Sequence, residues 1–248
     1  MNIYEVLDKI IENKRYKLSS ALFDDKYRDE LIEKDVILFD LLKNISSIGT
    51  EIHNGSIKFH PLFTTADGRR TFSVEDITEE DFSMLEAMEL NRVPLVLRAL
   101  ISDILWSQRK VYSAAMLAAE AYWNLFILWY TDDDNIGTID MIRRAVCISL
   151  QIKHESLFSD ICAWVNDFIS QKVVTIDGFF SLRLMELFAE QKMYDVSAFP
   201  DVLDQMISSD HDNVSKVEQA YELKVYCYNK LKKNEEAKTQ ILHWLSIM

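Results

Sequence analysis

Five histidines, three cysteines and a run of aspartates are the side chains in this 248-residue chain best equipped for chemistry, and their spacing argues against most of it. His53, His60, His154, His211 and His243 are scattered. None forms an H-x-x-x-H or H-E-x-x-H pair that would bring two imidazoles to one metal. Cys147, Cys162 and Cys227 form no C-x-x-C pair and are odd in number. They read as reduced, buried thiols, which points to a cytoplasmic chain. Asp132-Asp133-Asp134-Asn135 resembles the opening of a calcium loop, but its fifth position is Ile136 and its twelfth Arg143, where oxygen ligands are required. The run fits a solvated loop ahead of a helix, where negative charge is favourable. The glycines are too few and too dispersed for a phosphate loop, and no G-x-S-x-G or Cys/His dyad occurs. The expectation is therefore no catalytic set, no metal and no cofactor.

The residues left for binding are few. Asp67-Gly68-Arg69-Arg70 is the one compact basic spot in an acidic region. Arg69 and Arg70 could hold an anion, or could simply be solvated arginines on a β-turn. Arg98, Asp103 and Trp106 lie on one expected helix. Arg98 shares a face with Ser102 at i,i+4, whereas Asp103 points well away from Arg98. These residues either fix helix packing against a neighbouring β segment or line a site. Trp106, Trp123, Trp129, Trp164 and Trp244 all fall in apolar helical runs, where core packing with the indole donor near a polar edge is the expected role.

The elements that must position these groups are mainly helical. Hydrophobic residues make up 49% of the chain, so a sizeable core is available, while five glycines and three prolines are too few for an all-β fold. The formal charge of −13 opposes a general nucleic-acid surface and favours a basic partner. Val111–Tyr130 is about one bilayer span long, but Glu120 and Asn124 sit at its middle, where a charge costs roughly 3 kcal/mol. Its alanines suit a tightly packed central helix instead, and no membrane association is expected. The opening MNIYEVLDKIIENKRYK has no apolar secretory core.

Ile3, Leu7, Ile10 and Ile11 repeat at helical spacing, and a second run spans Leu31 to Ile45. Asn54-Gly55 then predicts a tight hairpin between strands Thr50–His53 and Ser56–Phe63. Asp67-Gly68 offers a second turn, with Arg69–Val74 as a third strand of a small β-meander. Helices resume at Thr78-Glu-Glu-Asp81, a capping box. Pro94 suits the first turn of the next helix, expected to reach about Trp106. Later helix starts fall near Val111, Thr138, Glu155, Gly178, Pro200, Ser215 and Asn234. Ser215-Lys-Val-Glu218 supplies a second capping box, and residues 193–199 should form a loop or single turn before Pro200.

A period runs through the last part of the chain. Polar turns carry Lys110, Lys153, Lys192 and Lys233, at steps of 43, 39 and 41 residues. Such a period signals stacked helical hairpins, each burying its apolar face on a neighbour. In the last hairpin Ala220, Leu223, Tyr226 and Cys227 form one stripe, answered by Ala237, Ile241 and Leu245. Small Ala115 and Ala237 after their turns permit close helix approach, as in tetratricopeptide repeats.

The stretch Phe59–Trp106 resembles an uncharacterised bacterial helical family with the pattern F-x-P-x-x, D-G-R-R, E-D and L-x-x-R-A-x-x-x-D-x-L-W. Here these are Phe59-His60-Pro61-Leu62-Phe63, Asp67-Gly68-Arg69-Arg70, Glu75-Asp76 and Leu95 to Trp106 through Arg98, Ala99 and Asp103. The resemblance covers roughly residues 55–130. Larger relatives often continue into a domain with an R-N-x-x-x-H motif similar to that of HEPN ribonucleases. This chain lacks it, since neither Arg143 nor Arg144 has a histidine four to six residues later. By resemblance the chain corresponds to a recognition half, with an associational hint of RNA targeting or antiviral defence.

The expected fold is mainly all-α: an antiparallel helical-hairpin, tetratricopeptide-like array with a small β-meander near residues 50–74. A single domain 1–248 is expected, with 1–75 as an N-terminal cap. The leading function is a non-catalytic scaffold that binds a protein or peptide, with self-association left open. The alternative is the recognition or regulatory part of a bacterial nucleic-acid-cleaving defence system.

Overall fold

A computed structural model describes residues 1–12, 23–53, 55–131, 135–172, 182, 185–187, 189, 196–209 and 212–247. Helix makes up 75% of the structure, as the scarcity of Gly and Pro requires. The features expected at Asn54, Asp132–Asp134, Gly178, Lys192 and His211 fall outside the described residues. The chain divides into two compact units, Met1–Phe158 and Ser159–Met248.

The first unit runs α1 (Ile3–Glu12), α2 (Asp25–Asp29), α3 (Glu33–Ile45), β1 (Ile48–His53), β2 (Ser56–Pro61), α4 (Glu79–Glu86), α5 (Leu95–Ile104), α6 (Tyr112–Thr131) and α7 (Asn135–Ile152). Ile3, Leu7 and Ile10 of α1 join Phe39, Leu42 and Ile45 of α3, Leu85 of α4, and Leu97, Ile101 and Ile104 of α5 in one apolar core. Thr78 caps α4 as its sequence implies. Its hydroxyl accepts from the Asp81 N–H at 3.2 Å, and the Asp81 carboxylate accepts from the Thr78 N–H at 2.9 Å. α5 starts one residue after Pro94 and passes into a π-helical turn, Leu105–Arg109. Ala114, Ala115, Ala118, Ala119 and Ala121 are buried on α6. Their small side chains let both α5 and α7 pack against it.

The β segment is smaller than a meander. β1 and β2 pair antiparallel from Ile48↔Pro61 to His53↔Ser56, and Gly55 holds the turn at φ +75. The expected third strand at Arg69–Val74 does not form; Thr64↔Arg70 is an isolated bridge. Gly68, at φ +76, closes its own turn. The Ser73 N–H is bound to the Asp76 carboxylate at 2.8 Å, so it starts a 3₁₀ turn, Val74–Asp76, instead of extending a ladder.

α8 (Glu155–Lys172) continues into the second unit, which holds α9 (Phe199–Ser209), α10 (Val214–Lys230) and α11 (Asn234–Ile247). Pro200 lies in the first turn of α9, where its missing donor costs nothing, behind a 3₁₀ turn at Val196–Ala198. Two expected boundaries move. α7 begins at Asn135, not Thr138, and α10 is capped by the Asn213 side chain, which accepts from the Lys216 N–H at 3.3 Å, not by Ser215. The stripe expected on α11 is also corrected. Ala237 is buried against α10, but Ile241 and Leu245 are 42% and 56% exposed. A helix packed along one neighbour covers only one narrow face.

Three of the periodic lysine turns share a backbone state. Lys110, Lys153 and Lys232 sit at φ 58, 57 and 58, the left-handed conformation that ends helices. His154 donates back to the Ser149 carbonyl and Lys233 to the Tyr228 carbonyl, each at 2.8 Å, closing Schellman motifs. The left-handed residue of the last turn is Lys232, one before the marker Lys233. No helix among the described residues is long and apolar enough to cross a membrane. Of the three cysteines expected to be buried, Cys147 and Cys162 are half-buried and only Cys227 is fully buried, where burial pushes its thiol up to about 12.

Candidate functional site

Asp103 is the one carboxylate in the apolar run of α5, and Arg144 is the more deeply buried of two adjacent arginines on α7. Each would be costly alone: removing one charge from water costs several kcal/mol. The fold brings them together. Arg144 donates from Nε to Asp103 Oδ2 at 2.8 Å and from Nη2 to Oδ1 at 2.6 Å, a two-pronged pairing matched to guanidinium geometry. Tyr122 on α6 donates to Oδ2 at 3.0 Å, and Ser107 in the π turn donates to Oδ1 at 3.0 Å. Arg144 Nη1 then reaches the Gly55 carbonyl at the hairpin tip, 2.6 Å away. Asp103 is 0% and Arg144 4% exposed.

The electrostatics follow from this geometry. Burial draws the Arg144 guanidinium down, but hydrogen bonding to Asp103 and the Asp103 charge outweigh it and hold it above its ordinary value. Burial, then the neighbouring Asp103 charge, raises the Tyr122 phenol well above its ordinary range. Each Asp103 oxygen accepts two donors, so the network is closed. Its work is mechanical: it ties α5, α6, α7 and the hairpin into one body. Gly55 completes the joint, because a Cβ there would lie 1.9 Å from Cys147 Sγ.

The other sequence candidates lie apart from this network. Arg69 pairs with Asp67 at 3.3 Å, and Arg70 with Glu75 and Asp76 at 3.3 and 3.5 Å. Both arginines are thus offset by carboxylates close by in the chain. A hydrogen bond from Ser73 holds the Glu75 carboxyl below its ordinary value, and the Ser73 backbone N–H does the same for Asp76. Arg98 donates to the Asn91 and Val93 carbonyls at 2.6 and 3.0 Å, bracing the turn ahead of α5. Burial lowers it, and Glu120 opposes that shift. Trp106 donates from Nε1 to Gln151 at 3.3 Å, with the Lys110 ammonium 5.3 Å from its ring centre. None of the five tryptophans is fully buried; Trp123 and Trp164 stack on Phe126 and Phe168.

Sequence reasoning missed Arg144, Tyr122, Ser107 and the Gly55 carbonyl. The one local signal was Asp103, a single carboxylate in an apolar helical run; Arg144 stands beside Arg143 and carries no such mark. His154 makes a further cluster, with Nε2 3.6 Å from Glu120 and Nδ1 3.3 Å from Ser156 Oγ. Nδ1 also accepts the Leu157 N–H at 3.4 Å, so the imidazole serves as the cap of α8. In the second unit the buried Lys224 ammonium bonds Asp204 and, at 2.8 Å, Gln240, which links α9, α10 and α11. Among the described residues no group of three His, Cys, Asp or Glu is placed to hold a metal.

Open space lies elsewhere in the first unit. A cleft of about 320 Å³ is lined by Glu86, Met88, Leu90, Asn91, Leu105, Val111, Ser113, Ala114 and Leu117. Its floor is buried and apolar (Met88, Leu90, Leu105, Ala114), and Glu86, Asn91 and Ser113 form an exposed polar rim.

The chain belongs to the family described as Domain of unknown function (DUF7380), which matches residues 1–161. That match ends close to the boundary of the first compact unit at Phe158. No curated protein and no solved structure matches the chain.

Proposed function

We propose that this protein is an interaction module that binds a protein or peptide segment, with its helical hairpins acting as a tetratricopeptide-like support. One observation carries the reading: an open cleft with an apolar floor and a polar rim, the anatomy of a site for an inserted side chain. A volume of about 320 Å³ is at the small end for ligand pockets, which run from roughly 300 to 1,000 Å³. It suits one anchoring side chain better than a whole cofactor. The buried Asp103–Arg144 pair supports the reading by rigidity, because a site held in shape loses less entropy on binding.

The test is a display selection of random peptides against the intact 248-residue chain. A recurrent motif whose synthetic peptide binds in solution supports the module. A selection that enriches nothing above background refutes it.

A further inference from the structure

The cleft has a definite chemical polarity. Glu86 is its one charged lining residue. Its carboxylate is exposed and takes no part in any ion pair among the described residues. The nearby cations are engaged elsewhere: Arg92 with Asp8 and Glu89, and Lys110 with the Ser107 carbonyl. Val111, Ser113 and Ala114 line the opposite side, at the start of α6. The first N–H groups of a helix have no intrahelical acceptor, so this wall offers donors to a peptide carbonyl. Met88, Leu90, Leu105 and Leu117 give the floor its apolar character. The chain as a whole carries a formal charge of −13, which favours approach of a cationic segment.

We infer that this cleft receives a peptide segment carrying an apolar anchor side chain next to an arginine or lysine. The inference rests on the interaction-module reading above and assigns it a place and a partner chemistry. The anchor sits on Met88, Leu90, Leu105 and Leu117. Its neighbour's cation meets Glu86, and a backbone carbonyl of the segment accepts from the start of α6. An acidic segment would place like charge against Glu86, and a segment without the anchor would leave the floor wet.

The probes are short dye-labelled peptides with a central leucine flanked by arginine, by glutamate, or by arginine with alanine in place of the leucine. Fluorescence anisotropy with the full chain reads the affinities. Two variants at exposed rim positions leave the core untouched: Glu86→Lys and Ser113→Trp. The arginine–leucine peptide should bind tightest, and its preference over the glutamate peptide should shrink at high salt. Glu86→Lys should weaken it roughly two- to five-fold at low salt, and Ser113→Trp, which blocks the mouth, roughly ten-fold. Circular dichroism confirms that both variants remain folded. Equal binding of arginine and glutamate peptides, or an affinity indifferent to both variants, overturns the inference. If the display selection yields a binder whose affinity ignores both variants, the cleft assignment fails and the module reading stands. If it yields none, the module reading fails as well.

Discussion

Arg144→Met is the sharpest perturbation of the first unit. It removes the fork that meets both Asp103 oxygens and the donor to the Gly55 carbonyl, leaving a fully buried carboxylate with only Tyr122 and Ser107. Breaking one side of a buried pair costs about 3–5 kcal/mol. Domains of ordinary stability have about 5–15 kcal/mol in total, so the variant should be severely weakened. Asp103→Leu should cost a similar amount by stranding the cation. The double replacement Asp103→Leu/Arg144→Met strands neither charge. Its main penalties are the Tyr122 hydroxyl left without an acceptor and the Gly55 carbonyl left without a donor, about 1–3 kcal/mol each. The two single costs should therefore exceed the double cost by about 3 kcal/mol or more. Urea titrations followed by circular dichroism give the four stabilities of the cycle. Arg144→Lys, which keeps the charge and loses the fork, should fall between wild type and Arg144→Met. Single variants that shift stability by less than about 1 kcal/mol would mean that water reaches the pair, and the closed network would be refuted.

Three further outcomes follow. Lys153→Gly and Lys232→Gly should each stabilise by about 0.5–1 kcal/mol, because glycine removes the left-handed strain of these turns at some cost in unfolded-chain entropy; an unchanged or lower denaturant midpoint contradicts this. Ala115→Leu and Ala237→Leu should each destabilise by roughly 1–3 kcal/mol through overpacking of buried helix contacts, and unchanged midpoints would show slack packing. Glu75 and Asp76 titrate below their ordinary values of 4.5 and 3.8, so the stability they contribute is present above those values and is lost as pH falls through the lower, folded ones. Ser73→Ala should return Glu75 towards its ordinary value and move Asp76 less, since the backbone N–H remains; carboxyl titration by NMR reads both.

Local chemistry was legible in the sequence where one residue settles one conformation. The Thr78–Asp81 box, Gly68, the alanines of α6 and the start of α11 at Asn234 are of this kind. The lysines at 110 and 153 mark helix ends, and in the last turn the left-handed residue is Lys232 and not Lys233. What stayed hidden depends on residues distant along the chain. Asp103 and Arg144 are 41 residues apart, and Gly55 and Arg144 are 89 apart, so no local pattern couples them. The π turn after Ile104 leaves no mark in hydrophobic periodicity. The third strand failed because Ser73 prefers its own cap, and α10 starts at Val214 with Asn213 as its cap, which places Ser215 inside the first turn. Exposure of Ile241 and Leu245 shows that an apolar stripe identifies a helix face without naming what covers it. The cleft was beyond sequence for the same reason: its lining comes from α4, the turn after it, the π turn and α6.

Methyl-resolved NMR of the intact chain, titrated with the tightest peptide from the display selection, tests the central claim most directly. Binding at the cleft predicts shifts concentrated on the methyls of Met88, Leu90, Leu105, Val111 and Leu117, saturating with the affinity measured by anisotropy. Saturable shifts clustered on another surface, with these five methyls unmoved, would contradict it.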